Sequence, residues 1–286
     1  MRNPAERCGE TVTWPPPRRE PIPPDGLDVP DSPDAPDGQV GLPLGPMPVR
    51  DPRRHLPIHG TRNVRDVGGY PTADGRQTRW RTLLRSDELT RLPAYAVAEL
   101  REIGIRQVID LRWPDELEYS PNVFAADPEM RYRHIALLLD DPTPHSGLAG
   151  MYRHVLDERL PQLVEVARAL LEPDGLPAVI GCAAGKDRTG ITIALLLSLS
   201  GVADDLVIAD YALSAGYFAA MNETIPPSDW RHLPLVVESP PEFMASAIEH
   251  LRDVHGGARA LLRSGGMSES ELDLLVEKLT EPADWP

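Results

Sequence analysis

Residues 1 to about 54 show neither the helical nor the strand period: TWPPPRREPIPPDGLDVPDSPDAPDG is crowded with proline, glycine and aspartate. Such a stretch buries too little apolar surface to offset its chain entropy, and it reads as a disordered or extended arm. A ligand for a proline-recognising module is the competing use. From His55 onward apolar runs alternate with amphipathic stretches, the pattern of helices packed on a sheet, and one domain over 55–286 is expected. Ala94 to Ile103 puts Val97, Leu100 and Ile103 on one helical face and stops at Gly104, a residue suited to the left-handed position beyond a helix. IRQVIDL follows as a strand ending near Leu111, His134 to Leu139 reads as another, and Leu160, Leu163, Val164, Ala167, Leu170 and Leu171 make a helical stripe. Near the C-terminus Ser268 and Glu271 form a capping box ahead of Leu272, Leu275, Val276 and Leu279.

The most informative segment lies between. PAVI at 177–180 has the length and branching of a short buried strand, GCAAGKDRTG turns sharply, and ITIALLLSLS is apolar all round, as a buried helix is. Strand, loop and helix in that order predict an α/β fold with a central, mostly parallel sheet flanked by helices.

Composition narrows the function. Of 286 residues 41% are hydrophobic, enough for a substantial core, and the net charge of -15 makes the surface repel nucleic acid and anionic membranes. No apolar run reaches the roughly eighteen residues of a membrane span, so a soluble, cytoplasmic protein without integral membrane association is expected. Two cysteines, Cys8 and Cys182, make no disulfide framework. The histidines 55, 59, 134, 145, 154, 232, 250 and 255 lack metal-ligand spacing, and neither a metal nor another cofactor is expected.

Cys182 needs a different explanation. Followed by five residues, Arg188 and Thr189, it sits where a loop between strand and helix closes into an anion cradle. The amides of Ala183, Ala184, Gly185, Lys186 and their successors through Arg188 are expected to point inward, and the helix dipole adds positive potential. Helix N-termini and nearby cations lower a cysteine pKa from ~8.5 to about 3.5–7.5, which favours a thiolate nucleophile. The planar guanidinium of Arg188 suits two phosphate oxygens, and the Thr189 hydroxyl is a candidate hydrogen-bond donor to the sulfur.

CAAGKDRT resembles the C-x5-R-[ST] signature of the protein tyrosine phosphatase superfamily. GKDRTG is similar to the loop of bacterial tyrosine and phosphoinositide phosphatases with a Lys-Asp pair, including secreted mycobacterial and listerial enzymes. GTRNVRDVGGY (60–70), LLRSDELTRL (83–92), VIDLRWPDE (108–116) and DYALSAGYF (210–218) resemble that family's segments in its order, so the likeness covers roughly 58–280. It implies a metal-independent phosphate-monoester hydrolase with a phosphocysteine intermediate, acting on phosphotyrosine, another phosphoprotein residue or a phosphoinositide. A small phosphorylated metabolite, such as a nucleoside or a natural-product intermediate, is the rival substrate. One departure stands out: the superfamily places a histidine, which orders the loop and tunes the thiolate, where this chain has Gly181. A module that binds phospho-ligands without turnover is therefore a second hypothesis; a rhodanese-like sulfurtransferase, whose loop lacks Lys-Asp-Arg-Thr, is a third.

Three aspartates compete to protonate the leaving group. The resemblance puts Asp187 first, and Asp110, ending a parallel strand at the edge where α/β sites gather, comes second, with an ion pair to Arg112 as its structural alternative. Trp113, Pro114 and Asp115 spell the WPD of eukaryotic tyrosine phosphatases but lie far upstream of its usual place, so Asp115 reads as coincidence. Lys186 adds a cation suited to substrates with several phosphates, or pairs with a neighbouring carboxylate. Arg65, Asp66, Arg85 and Asp87 are expected in an ion-pair network, and 219–245 as part of a lid.

Overall fold

The structure, a computed structural model, describes residues 47–138, 143–219 and 238–284. Its strands are β1 (Arg65–Asp66), β2 (Arg76–Thr78), β3 (Leu83–Ser86), β4 (Gln107–Asp110), β5 (Arg131–His134), β6 (Ala178–Gly181) and β7 (Thr280–Pro282). Its helices are α1 (Ala94–Glu102), α2 (Pro114–Tyr119), α3 (Thr143–Glu158, broken at Gly147), α4 (Leu160–Leu171), α5 (Asp187–Leu199), α6 (Asp204–Ala219), α7 (Pro241–Asp253), α8 (Ala258–Ser264) and α9 (Glu269–Leu279).

The main sheet runs β1-β3-β6-β4-β5, with β1 antiparallel to β3 and the remaining pairs parallel. Both faces of its middle are covered, and side-chain alternation sorts the residues between them. Leu84, Val108 and Val179 face a core with α1 residues Ala96 and Leu100. Leu83, Ile109 and Ile180 face the larger core, which takes up α5 and the helices around it. Every position of α5 from Arg188 to Leu197 is buried, as its all-round apolar sequence requires. A second, two-stranded sheet pairs β2 with β7. No described helix is long and apolar enough to cross a membrane.

Several expected elements fall at their sites. In α9 the capping box is complete: Glu271 N donates to Ser268 Oγ (3.2 Å) and Ser268 N to Glu271 Oε2 (2.7 Å). The second strand does not fall where its apolar run suggested. β5 occupies 131–134, where Arg131 to His134 pair with Gln107 to Asp110, and it is partly exposed because it is an edge strand, which accounts for its polar sequence RYRH. Ile135, Leu137 and Leu138 enter the core beyond the strand's end; Leu139 lies outside the described residues. At the other end, Val49 is buried in the core and Arg54 stacks on Tyr70 (3.8 Å), so packed structure begins ahead of residue 54. Of the expected lid, 219–245, residues 220–237 lie outside the described ones, and α7 begins at Pro241.

The register places Ser86, Gly181 and Asp110 side by side at the C-terminal ends of three parallel strands. The chain leaves the sheet there at Cys182 and enters α5 five residues later.

Candidate active site

The loop Cys182–Lys186 is shaped from outside. The Ala183 carbonyl accepts from Glu88 N (3.2 Å), that of Ala184 from Asn63 Nδ2 (2.9 Å), and that of Gly185 from Arg85 Nη2 (2.7 Å) and Asn63 Nδ2 (3.2 Å). In a planar trans peptide, a carbonyl turned outward sends the following N–H inward. Three tethered carbonyls therefore turn the amides of Ala184, Gly185 and Lys186 away from the residues that hold the loop. The first-turn amides of α5, Asp187 to Thr189, have no acceptor among the described residues and add their dipole. Gly185 permits the turn: its φ is +64° and a Cβ would stand 2.4 Å from the Ser86 carbonyl oxygen.

The tethers are themselves fixed by a buried charge network. Arg85 and Arg65 both pair with the Asp210 carboxylate, Arg65 Nη2 also reaches the Asp210 carbonyl (2.7 Å), and Tyr70 donates to Asp210 Oδ1 (3.0 Å). Arg65 Nη1 further holds Asn63 Oδ1, which turns the Asn63 amide nitrogen toward the loop. Burial opposes the charge of Asp210, but the two arginines outweigh it and keep this carboxyl far below the usual range. Asp66 pairs with Arg81 Nη1 (3.5 Å) and also receives the amides of Gly68 and Arg81, whereas Asp87 receives those of Arg62 and Asn63; burial pushes the pKa of each up.

Cys182 is only 2% exposed and is a free thiol at the root of the loop. Arg188, the second residue of α5, is gripped through both terminal nitrogens by Glu116 of α2, with Nη2 to Oε1 at 2.9 Å, and its guanidinium lies 4.7 Å from the Trp113 ring centroid. Burial opposes the Arg188 charge, yet the Glu116 carboxylate and the nearby sulfur raise its pKa above the ordinary arginine range. Glu116 is positioned in turn by Trp113 N, which donates to its Oε2 at 2.6 Å. The expected bond from Thr189 to the sulfur is not formed; Thr189 Oγ1 is buried without a partner.

The aspartates separate. Asp187 opens α5 and its Oδ1 accepts from Tyr152 (2.6 Å), whose hydroxyl also meets that of Tyr211 (2.7 Å). Asp110 is wrapped by Arg112 Nε (3.0 Å), Arg112 Nη2 (2.8 Å) and Asn122 Nδ2 (2.9 Å). Burial pushes its pKa up, but these donors overcome it and hold the carboxyl below its ordinary value. The ion pair with Arg112, its structural alternative, is the arrangement present. Asp115 is exposed in the first turn of α2. Lys186 is fully buried; its Nζ donates to the Glu238 carbonyl (2.8 Å) and lies 3.6 Å from Asp187 Oδ1.

A family model described as "Tyrosine phosphatase family" matches residues 56–281. The chain belongs to the tyrosine phosphatase family. It is 29% identical over 218 residues to a tyrosine-protein phosphatase of Nostoc commune, covering 68% of this chain and 73% of that one. It is likewise 29% identical over 274 residues to the triple specificity protein phosphatase PtpB of Mycobacterium tuberculosis, covering 77% of this chain and 96% of the relative. The crystal structure of P. aeruginosa TpbA aligns with 53% of this chain and 90% of its own at 16% identity and a TM-score of 0.32, too distant to inform the fold.

Within a tyrosine phosphatase frame Gly181 has a steric cause. A Cβ there would lie 2.5 Å from Ser86 Oγ on the paired strand, so Ser86 fills the space a larger residue before the cysteine would need. Sequence reading of this phosphatase missed Glu116, which stands directly after the dismissed WPD, and Asn63, Asp210, Tyr152 and Tyr211. Four of these, Glu116, Asn63, Asp210 and Tyr211, lie in segments read only as family-like, and no spacing rule singles them out. It also missed that His250 and His255 converge on Asp157.

Proposed function

We propose that this tyrosine phosphatase family member hydrolyses phosphate monoesters by a metal-independent, two-step mechanism through a phosphocysteine. The inward-facing amides and the side edge of Arg188 bind the phosphoryl oxygens. Glu116 occupies the two terminal nitrogens of Arg188, which leaves Nε–H and an outward N–H of the fork for an equatorial oxygen. Sγ of Cys182 attacks phosphorus in line, the P–O ester bond breaks, and Asp187 gives its proton to the departing oxygen. Water, deprotonated by Asp187, then attacks the phosphocysteine; phosphate leaves and the sulfur is restored. Positioning and charge stabilisation supply most of the catalysis, as is general for phosphoryl transfer.

The observation that supports this reading is the set of three loop carbonyls tied from outside, with no ligand needed to turn their amides the other way. As substrate we favour a singly phosphorylated group, phosphotyrosine in a protein first. Lys186, the cation that would serve a second phosphate, is spent on Glu238 and Asp187, and that weighs against a phosphoinositide. Turnover of p-nitrophenyl phosphate in EDTA by the full chain, sensitive to vanadate and lost in Cys182→Ser, is the expected result. Tight phosphate binding without turnover by the unaltered chain would instead establish a binding module, and thiocyanate formation from thiosulfate a sulfurtransferase. A panel of phosphopeptides, phosphoinositides and phosphorylated nucleosides then ranks the substrates.

A further inference from the structure

Away from the loop, at the far end of α3, three potential metal ligands meet. Nε2 of His250 and Nε2 of His255 each lie 2.7 Å from the same oxygen, Oδ1 of Asp157. The two rings stand edge to face at 78° with centroids 5.4 Å apart, so both nitrogens aim at one point from different directions. Asp157 is the most open of the three, with 36% of its side chain exposed against 18% and 19% for the histidines, which leaves a side for water.

The backbone holds this arrangement in place. His250 lies in the last turn of α7, and the chain beyond it closes through Gly256 (φ +73°) and Gly257 (φ +94°), whose amides return to Arg252 and Leu251. His255 lies in the turn so closed, with its ring beside that of His250. The third ligand comes from α3, 93 residues upstream, and α3 and α7 are packed together, with Arg153 donating to Ser246 Oγ (3.2 Å). Separation in the chain is why the histidine spacing alone gave no metal.

We propose that Asp157, His250 and His255 form a structural site for a zinc-class divalent cation that clamps α3 to α7. Two imidazoles and one carboxylate suit zinc and its first-row neighbours, whereas calcium and magnesium require mostly oxygen ligands. Bonds of ~2.0–2.2 Å in a tetrahedron separate ligands by about 3.3 Å, so the exposed Asp157 carboxylate withdraws by about half an ångström as each neutral imidazole, its hydrogen on Nδ1, offers the Nε2 lone pair to the ion. Water completes the set. The ion takes no step in phosphate hydrolysis; it fixes the helix that carries Tyr152, about 7.5 Å along its axis from Asp157.

The test uses the full chain with Cys8→Ser and Cys182→Ser, so that no thiol competes, stripped with EDTA and titrated with Zn2+ against a chromogenic chelator. One equivalent should bind and raise Tm, while Mg2+ at the same concentration does neither. His250→Ala and Asp157→Asn should each weaken binding at least tenfold. His255→Gln, which keeps a donor for Asp157 but removes the imidazole, should do the same without changing the metal-free Tm. Absence of binding, or binding of equal strength in all three variants, overturns the site. Hydrolysis by the thiol-bearing chain in EDTA is a separate readout, so failure of the metal site leaves the phosphatase reading standing, and the reverse.

Discussion

Tyr152 donates its phenolic hydrogen to Oδ1 of Asp187 at 2.6 Å, and the hydroxyl of Tyr211 stands behind it at 2.7 Å. Two buried phenols in series thus orient one carboxyl. The pKa of Tyr152 is raised well above its ordinary value, by burial first and by the Asp187 charge next, so it remains a donor at any working pH. Asp187→Asn should slow phenyl phosphate by about 10²–10⁴ and p-nitrophenyl phosphate, whose leaving group hardly needs a proton, far less. Equal slowing of both would remove Asp187 from the role of acid. Asp110→Asn should lower stability and leave that leaving-group dependence as it was.

The grip of Glu116 on Arg188 predicts a kinetic signature. Glu116→Gln keeps the length but loses the charge, and without a fixed fork the phosphoryl oxygens meet a mobile guanidinium. We expect kcat/KM to fall by about 10–100-fold, equivalent to ~1.4–2.7 kcal/mol, with a matching loss in vanadate affinity. Unchanged vanadate binding would show that Arg188 holds its pose unaided.

Gly181 and Ser86 form a steric pair, so their substitutions should be strongly non-additive. Gly181→His forces its Cβ to within 2.5 Å of Ser86 Oγ and should lower stability by about 1–3 kcal/mol. Ser86→Gly in the same chain should recover part of that loss. Independent effects, measured by urea denaturation of the four proteins of the cycle, would disprove the pairing.

Asp210 predicts acid sensitivity with a defined sign. Its folded pKa is depressed relative to the unfolded carboxyl at ~3.9, so its stabilisation is complete above that value and declines as pH falls through and below it. Asp210→Asn leaves Arg65 and Arg85 sharing a buried site without their carboxylate and should cost about 3–5 kcal/mol at pH 7. The gap between wild type and variant should stay constant from pH 7 to about 5 and narrow below about 4. A constant gap down to pH 3 would mean that the carboxylate does not carry the effect.

The strand, loop and helix around Cys182 were legible because local pattern determines them: a short branched run, a glycine-bearing turn, and a helix whose every face is apolar because every face is buried. The role of Arg65 and Arg85 in an ion network was legible in outline, but its centre, Asp210, comes from α6 and appears only when the chain is folded. Glu116 was hidden behind the more conspicuous WPD triplet; its importance depends on where α2 points, which no periodicity encodes. The edge strand β5 was misplaced because the apolar run beside it is buried by packing and its own pairing residues are polar. The pairing of β2 with β7, and the meeting of Asp157 with two histidines, join residues too distant in the chain for any local signal.

Arg188 has a carboxylate companion, Glu116, with no oxyanion in place. In the proposed cycle Arg188 is therefore not left as a stranded cation between turnovers. A substrate bound as we propose meets the guanidinium at the edge that Glu116 leaves free, with the fork already held.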